Sequence, residues 1–408
     1  MTRPRVLIYS INYAPEPIGV GRYTSEFGSY LVGQSTDVEV ITAVPHYPGW
    51  SVRDSYSNRY LVEEVFGARV IRCPLLLRSK MGGIWRLLAP LSFAFTSAPV
   101  AIWRILTRCP DVVLCVEPTL FCAPAALFAS KLVGARTVLH VQDLEIDAAF
   151  AVGHLRGGLF EKVAGWFERA MLRRFDAVVT ISNRMREGLQ AKGIATERLS
   201  VVRNWVDLGK IKPLFGRSGF RDELELADDD FVILYSGNIG PKQALHLLLE
   251  VAVHLAEYKK LVFIVAGEGP EKQRLMQTYG YLANVRFLAL QPEERLCELL
   301  NLADAHVLPQ RAGTADLVLP SKLGGMLASG KPSIVMADRN TELWEFLGDC
   351  AILISSGDIA SLERAILNVF QNSGLLNIQN VKLRTESLDS RKNLAALQEI
   401  LALGADRL

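Results

Sequence analysis

At four junctions in this 408-residue sequence, glycines, a hydroxyl or a cation stand where a β-branched run gives way to a helical pattern. Such junctions bind phosphate: the first backbone N–H groups of a helix point outward, and glycine lets an anion approach because no Cβ intervenes. The first follows Val6–Ser10 and reads Asn12-Tyr13-Ala14-Pro15-Glu16-Pro17-Ile18-Gly19-Val20-Gly21, with a helix expected from about Arg22. A Gly-x-Gly pair serves equally as a plain turn or as a ligand loop. The second, Tyr235-Ser236-Gly237-Asn238-Ile239-Gly240-Pro241-Lys242-Gln243, adds one cation and one amide at phosphate reach. The third, Ala266-Gly267-Glu268-Gly269-Pro270, would let a flat base or ribose approach the backbone, or is an ordinary strand-to-helix turn. In the fourth, Gln310 to Leu323, Pro320-Ser321 starts a helix whose first amides, with the Ser321 hydroxyl and the Lys322 ammonium, suit an anion. A lysine at a helix start opposes the dipole; an anionic ligand would supply the reason, and a solvated first-turn lysine is the alternative.

A different chemistry gathers at His140-Val141-Gln142-Asp143-Leu144-Glu145-Ile146-Asp147, where an imidazole and carboxylates meet at a strand's carboxyl end. Asp143 and Asp147, four apart, would share a helical face. His140 alone reads as a hydrogen-bonded core histidine or a catalyst. No Asp-x-Asp stands in a strand-end loop, and Asp228-Asp229-Asp230 precedes a strand as a solvated turn, so no metal ion is expected.

The elements that must hold these groups are short and apolar. In the first half they are Val6–Ser10, Val38–Thr42, Arg69–Cys73, Asp111–Val116, Thr137–Val141, Ala177–Ile181 and Ser200–Val202. In the second they are Phe231–Ser236, Leu261–Ala266, Val285–Leu290, Ala305–Pro309, Pro332–Met336 and Ala351–Ile354. Continuous rather than alternating apolar runs suit strands buried on both faces of a parallel sheet. Stretches such as Gln243–Tyr258 and Ser361–Phe370 carry a helical period between them. The expected fold is α/β, two doubly wound Rossmann-like domains, residues 1–205 and 206–385, with a helix in 386–408 that could cross back to the first. Ligands of such sheets sit beyond the carboxyl ends of the strands.

Half of the residues are hydrophobic and 22% are charged, which excludes a disordered chain or a nucleic-acid-coating tail. The net charge of +2 conceals a division: residues 1–205 carry 24 basic against 17 acidic side chains, residues 206–408 carry 21 against 26. Six cysteines without a Cys-x-x-Cys suit reduced core thiols, and Val6–Ile11 is too short for an export signal, so a cytoplasmic setting is expected. The most hydrophobic stretch, Leu87–Trp103, holds Pro90 and Pro99 and is flanked by Arg78, Lys80, Arg86, Arg104 and Arg108. At the short limit for a bilayer span, it reads as a core-packed helix or as one lying among headgroups with its cations on anionic lipid.

Together the loops resemble the GT-B glycosyltransferases of family 4, and among them the colanic-acid-type exopolysaccharide enzymes. The carriers are Asn12 to Gly21, Pro45-His46-Tyr47-Pro48, His140-Val141-Gln142-Asp143, Ala177–Ser182, Gly237-Asn238-Ile239-Gly240, and Leu308-Pro309-Gln310 through Pro320-Ser321-Lys322-Leu323. The resemblance implies a nucleotide-sugar donor held mainly by the second domain, an acceptor held by the first, and transfer with retention in a closed cleft, without metal or other cofactor. It gives catalytic roles to His140, Asp143 and Lys322. It implies donor contacts from Lys242 or Gln243, Asn238, Ser321 and Lys322 at the diphosphate, Gly19 and Gly21 across from it, Gly267 and Glu268 near the base, and Gly313, Thr314, Ala315 and Asp316 near the sugar. Asn238 and Gln243 stand where the family commonly has Arg and Lys, and Leu317 and Gly325 where it has two glutamates, so a reorganised site is expected. The implied acceptor is a polyprenyl-diphosphate-linked saccharide at the inner leaflet, the donor a GDP-sugar, GDP-fucose or GDP-mannose, by analogy, and no nucleic acid is involved. The rival expectations are a non-catalytic partner subunit and an epimerase or phosphorylase of soluble sugars.

Overall fold

The computed structural model describes residues 3–17, 19–47, 49–78, 85–143, 158–311, 318–372 and 378–402. The chain divides into two compact units, Met1–Arg203 with Leu394–Leu408, and Asn204–Asn393. Each is an α/β unit built on a parallel sheet, the fold class that the apolar runs imply.

The first unit's strands are β1 (Arg5–Ser10), β2 (Asp37–Ala43), β3 (Leu61–Val65), β4 (Ala68–Cys73), β5 (Val112–Glu117), β6 (Arg136–Val141), β7 (Ala177–Thr180) and β8 (Leu199–Val201). They lie in the order β3-β4-β2-β1-β5-β6-β7-β8. All neighbours are parallel except β3, which pairs antiparallel with β4 through a tight Phe66-Gly67 turn with φ +51° and +77°. Its helices include α1 (Gly19–Gly33), α2 (Trp85–Arg108), α3 (Ala123–Val133) and α4 (Gly158–Leu172). α1 begins three residues before the expected Arg22, at a glycine with φ +65°.

α2 packs one stripe into the core: Phe93 is buried with its ring 6.0 Å from that of Tyr9, and the Ser97 and Tyr9 hydroxyls are 2.5 Å apart. Of the flanking cations, Arg104 and Arg108 turn to the protein, as the core-packed alternative implies, and not to lipid; Lys80 lies outside the described residues. Arg104 is buried and makes two hydrogen bonds, 2.6 and 2.7 Å, to the carboxylate of buried Glu39 on β2, and Arg108 pairs with Asp37. The Glu39 bond holds the Arg104 guanidinium's pKa above its usual value. An ammonium or guanidinium placed beside a buried carboxylate must stay there, because the carboxylate is costly to bury alone.

The second unit's strands are β9 (Phe231–Ser236), β10 (Leu261–Ala266), β11 (Val285–Leu288), β12 (Ala305–Leu308), β13 (Ser333–Met336) and β14 (Ile352–Ile354). Their order, β11-β10-β9-β12-β13-β14, reverses direction between β9 and β12. That switch point opens a crevice at the carboxyl ends of the two strands. Beneath it Ile233, Leu248, Phe263, Val307 and Ile366 form part of a core cluster that fixes the strand ends.

Candidate active site

In the second unit the loop after β9 is held by a side chain from inside the sheet. Tyr235, fully buried, donates its hydroxyl proton to the Asn238 carbonyl at 2.5 Å and accepts from Lys322 Nζ at 2.6 Å. The same ammonium lies 4.2 Å from the centre of the Tyr235 ring. Its stem crosses Gly237, which has φ +141°: a Cβ there would come within 3.0 Å of Nζ. Burial lowers the Lys322 pKa to about 7 and raises that of the Tyr235 phenol above its ordinary value. Tyr235 takes one of the three N–H donors of an ammonium, leaving two for an anion at the loop. A lysine in the first turn of the helix Lys322–Ala328 is thus explained by a tyrosine from the neighbouring strand. Ser321 is exposed and its hydroxyl makes no cap bond.

The other expected donor contacts fall differently. Gln243 turns its Oε1 inward, accepting from the Gly240 N–H at 3.2 Å and the Asn238 amide at 3.5 Å, so both side chains brace the loop. Lys242 is exposed, and its carbonyl accepts from the Arg311 N–H at 3.1 Å, tying the loops that follow β9 and β12 at the switch point. Gly267, with φ +141°, makes way for the neighbouring loop: a Cβ there would fall 1.9 Å from the Gly237 carbonyl oxygen. At Gly269 it would fall 2.2 Å from the Ile239 carbonyl oxygen. Glu268 pairs with Lys272 at 2.7 Å, which holds its carboxyl below the usual range; Lys272 also donates to the Gly267 and Leu288 carbonyls at 2.9 and 3.0 Å. Gly313, Thr314, Ala315, Asp316 and Leu317 lie outside the described residues.

In the first unit His140 is the penultimate residue of β6, buried, with Nε2 lacking a hydrogen-bond partner. Burial lowers its pKa to about 4, so the imidazole is neutral near pH 7. In register it sits between Val116 and Val179, whereas Glu117 and Thr180 flank Val141 and therefore occupy the opposite face. The Gln142 amide nitrogen, also buried, is likewise unbonded, and Asp143 next to it is exposed. Asp147 lies outside the described residues. A neutral imidazole and an amide with free polar atoms can hold a hydroxyl group.

The glycine loop after β1 is organised by Glu16. Its buried carboxylate accepts from the His46 and Tyr47 backbone N–H groups at 3.0 and 2.9 Å and from the Asn12 amide at 2.8 Å. Gly21 is buried against it, since a Cβ would lie 2.9 Å from Glu16 Oε2, while Gly19 is exposed. Fully buried Arg72 donates to the Ala14 carbonyl at 2.5 Å, bracing the loop from below. Tyr235, Glu16, Arg72 and Lys272 were not among the expected site residues. Only Lys272 left a plain signal, four residues after Glu268, the spacing of a helical ion pair. Among the described residues no three His, Cys, Asp or Glu side chains gather as for a metal ion.

Comparison with known proteins follows the same division. The family described as "Glycosyl transferase 4-like domain" matches residues 19–205, and "Glycosyl transferases group 1" matches residues 217–384. Among solved structures, sucrose-phosphate synthase of Thermosynechococcus elongatus superposes with a TM-score of 0.73 at 14% identity, covering 98% of this chain and 99% of that one. HepE of Anabaena, in complex with UDP and glucose, gives 0.68 at 15%, covering 98% and 100%. The chain belongs to the GT-B glycosyltransferases of family 4. Within them, a protein of Escherichia coli (strain K12) assigned by its name to colanic acid biosynthesis, the glycosyl transferase WcaI, is 40% identical over 347 residues, 83% of this chain and 84% of that one.

Proposed function

We propose that this protein moves a hexosyl group from a nucleoside-diphosphate sugar to a polyprenyl-diphosphate-linked saccharide during exopolysaccharide assembly, at the cytoplasmic face of a membrane. The observation that carries the reading is the likeness to WcaI across most of both chains, joined to the Lys322 ammonium held over the loop after β9. A GDP-sugar, GDP-fucose or GDP-mannose, is the donor preferred.

In the proposed step the bond from the sugar's anomeric carbon to the diphosphate oxygen breaks. A bond to the acceptor oxygen forms on the same face, giving retention, and the acceptor's hydroxyl proton passes to the leaving phosphate. Charge grows on the leaving diphosphate, and the Lys322 ammonium with the Gly237–Gly240 backbone stabilises it without reorganising at the moment of reaction. No metal is assigned a part, because this ammonium supplies the neutralising charge. His140, neutral and with Nε2 free, is suited to hold and orient a hydroxyl group.

Mass spectrometry of the purified protein incubated with GDP-, UDP- and dTDP-sugars and a lipid-linked acceptor tests the reading. A mass increment of one hexosyl unit on the acceptor is expected. Donor binding without turnover on any acceptor would favour a non-catalytic subunit, a reading to which Gly325, standing where the family has a glutamate, lends weight. Conversion of a soluble sugar in the acceptor's absence would favour the epimerase or phosphorylase.

A further inference from the structure

The connections β4-α2-β5, β5-α3-β6 and β6-α4-β7 all step the same way along the first unit's sheet, between parallel strands. Right-handed crossovers then place α2, α3 and α4 side by side on one face of that sheet, and α2 indeed packs along α3. Their outer surface is apolar. Leu91, Phe95 and Trp103 recur at helical spacing along α2, with Phe95 83% exposed; Phe128 and Leu132 continue the patch on α3, and Trp166, 65% exposed, on α4. An apolar face on three adjacent helices needs a partner.

The charges choose among partners. Among the described side chains of these helices no carboxylate is exposed, since α2 and α3 contain none and Glu168 of α4 is buried and paired with Lys192 at 2.6 Å. Lys131, Lys162 and Arg169 are exposed on α3 and α4. Two copies meeting through this face would bring these cations together, whereas an anionic surface matches them. α2 is long enough to span a bilayer, its apolar stretch running over Leu88–Arg108. However, its inner stripe is committed to Tyr9 and Glu39, so the folded unit cannot release it.

We propose that the outer face of α2, α3 and α4 docks on a bilayer bearing anionic headgroups, with Phe95, Trp103, Phe128 and Trp166 in the interface and Lys131, Lys162 and Arg169 among the headgroups. The proposal rests on the lipid-linked-acceptor reading for the presence of a membrane; Arg104 and Arg108, two of the five flanking cations that the interfacial alternative put on lipid, are held by Glu39 and Asp37, and the docking face uses other cations.

Co-sedimentation of the full chain with vesicles of phosphatidylglycerol and phosphatidylcholine, or of phosphatidylcholine alone, tests this at low and high salt. The wild type is expected to bind the anionic vesicles, more weakly in salt. F95E/W103E, altered at exposed positions, should lower binding roughly tenfold or more while thermal unfolding and turnover of a water-soluble acceptor analogue are unchanged. K131E/R169E should lower it on anionic vesicles only. Absence of wild-type binding, or binding unaltered in F95E/W103E, overturns the proposal; so does a dimer in sedimentation velocity that F95E/W103E abolishes without any vesicle binding. Turnover without vesicle binding refutes the docking face alone, and vesicle binding without turnover on any donor refutes the transferase reading alone.

Discussion

Lys322 is a cation whose position is set by an uncharged neighbour. Because the Tyr235 proton is committed to the Asn238 carbonyl, the phenol oxygen can only accept, and it fixes the direction in which the ammonium points. Replacing Lys322 with Ala should lower turnover about a hundredfold with the fold retained, as loss of a preorganised charge does. Tyr235→Phe should weaken nucleoside-diphosphate affinity roughly fivefold, as loss of a hydrogen bond to a charged group does. In the Lys322→Ala background it should have no further effect, because the phenol acts through the ammonium; a calorimetric double-mutant cycle reads this directly. The depressed pKa gives a second expectation. With the free amine titrating at about 7 and a bound diphosphate favouring the charged form, binding above that pH requires uptake of a proton. Affinity should therefore fall as pH rises over about 7.5 to 9, where the diphosphate's own charge is constant, by at most about tenfold per unit. Lys322→Met should flatten that profile, and a wild-type profile already flat would remove the ammonium from the site.

At the scale of elements, α2 is a helix with two commitments, one stripe in the core and one outside. Arg104 belongs to the first. Arg104→Met should destabilise the first unit by about 3–5 kcal/mol in denaturant unfolding, because the buried Glu39 carboxylate loses its partner. The salt dependence of vesicle binding should not change. From sequence Arg104 only flanked a stretch that read as core-packed or interfacial, since nothing local shows that Glu39, far away in the chain, needs a cation. The parallel strands were legible because burial on both faces writes itself as unbroken apolar runs, and their ends were found within one or two residues. β3 was not: as an edge strand it carries Glu63 and Glu64, and Phe66-Gly67 is a weak turn signal beside Asn-Gly. The strand-end loops were visible as glycines and a lysine, but what their glycines accommodate was only partly so. Gly267 and Gly269 make way for the neighbouring loop's carbonyls, and Gly21 for Glu16. Such close approaches are tertiary facts, and a glycine in a sequence does not say what fills the space.

In the whole molecule the near-neutral charge resolves into a basic first part and an acidic second. The basic part presents lysines and arginine on a helical face; the acidic one keeps a lysine over the loop after β9. The closing helix, Ser390–Ala402, adds Leu397 and Leu401 to the buried residues, and Leu394–Leu408 groups with the first unit. Leu397→Ala should therefore destabilise the first unit by about 2–4 kcal/mol and leave the second unaffected. Hydrogen exchange of the strand amides in each unit separates the two. This return of the chain also makes the first unit discontinuous in sequence. Residues 204–393 lie between its two pieces, so the second unit draws on one continuous stretch of sequence while the first must bring distant segments together. Until residues 394–402 are in place, the first unit lacks a piece of its own. A single proteolytic cut near residue 393 would therefore divide the first unit between two fragments and leave the second in one piece.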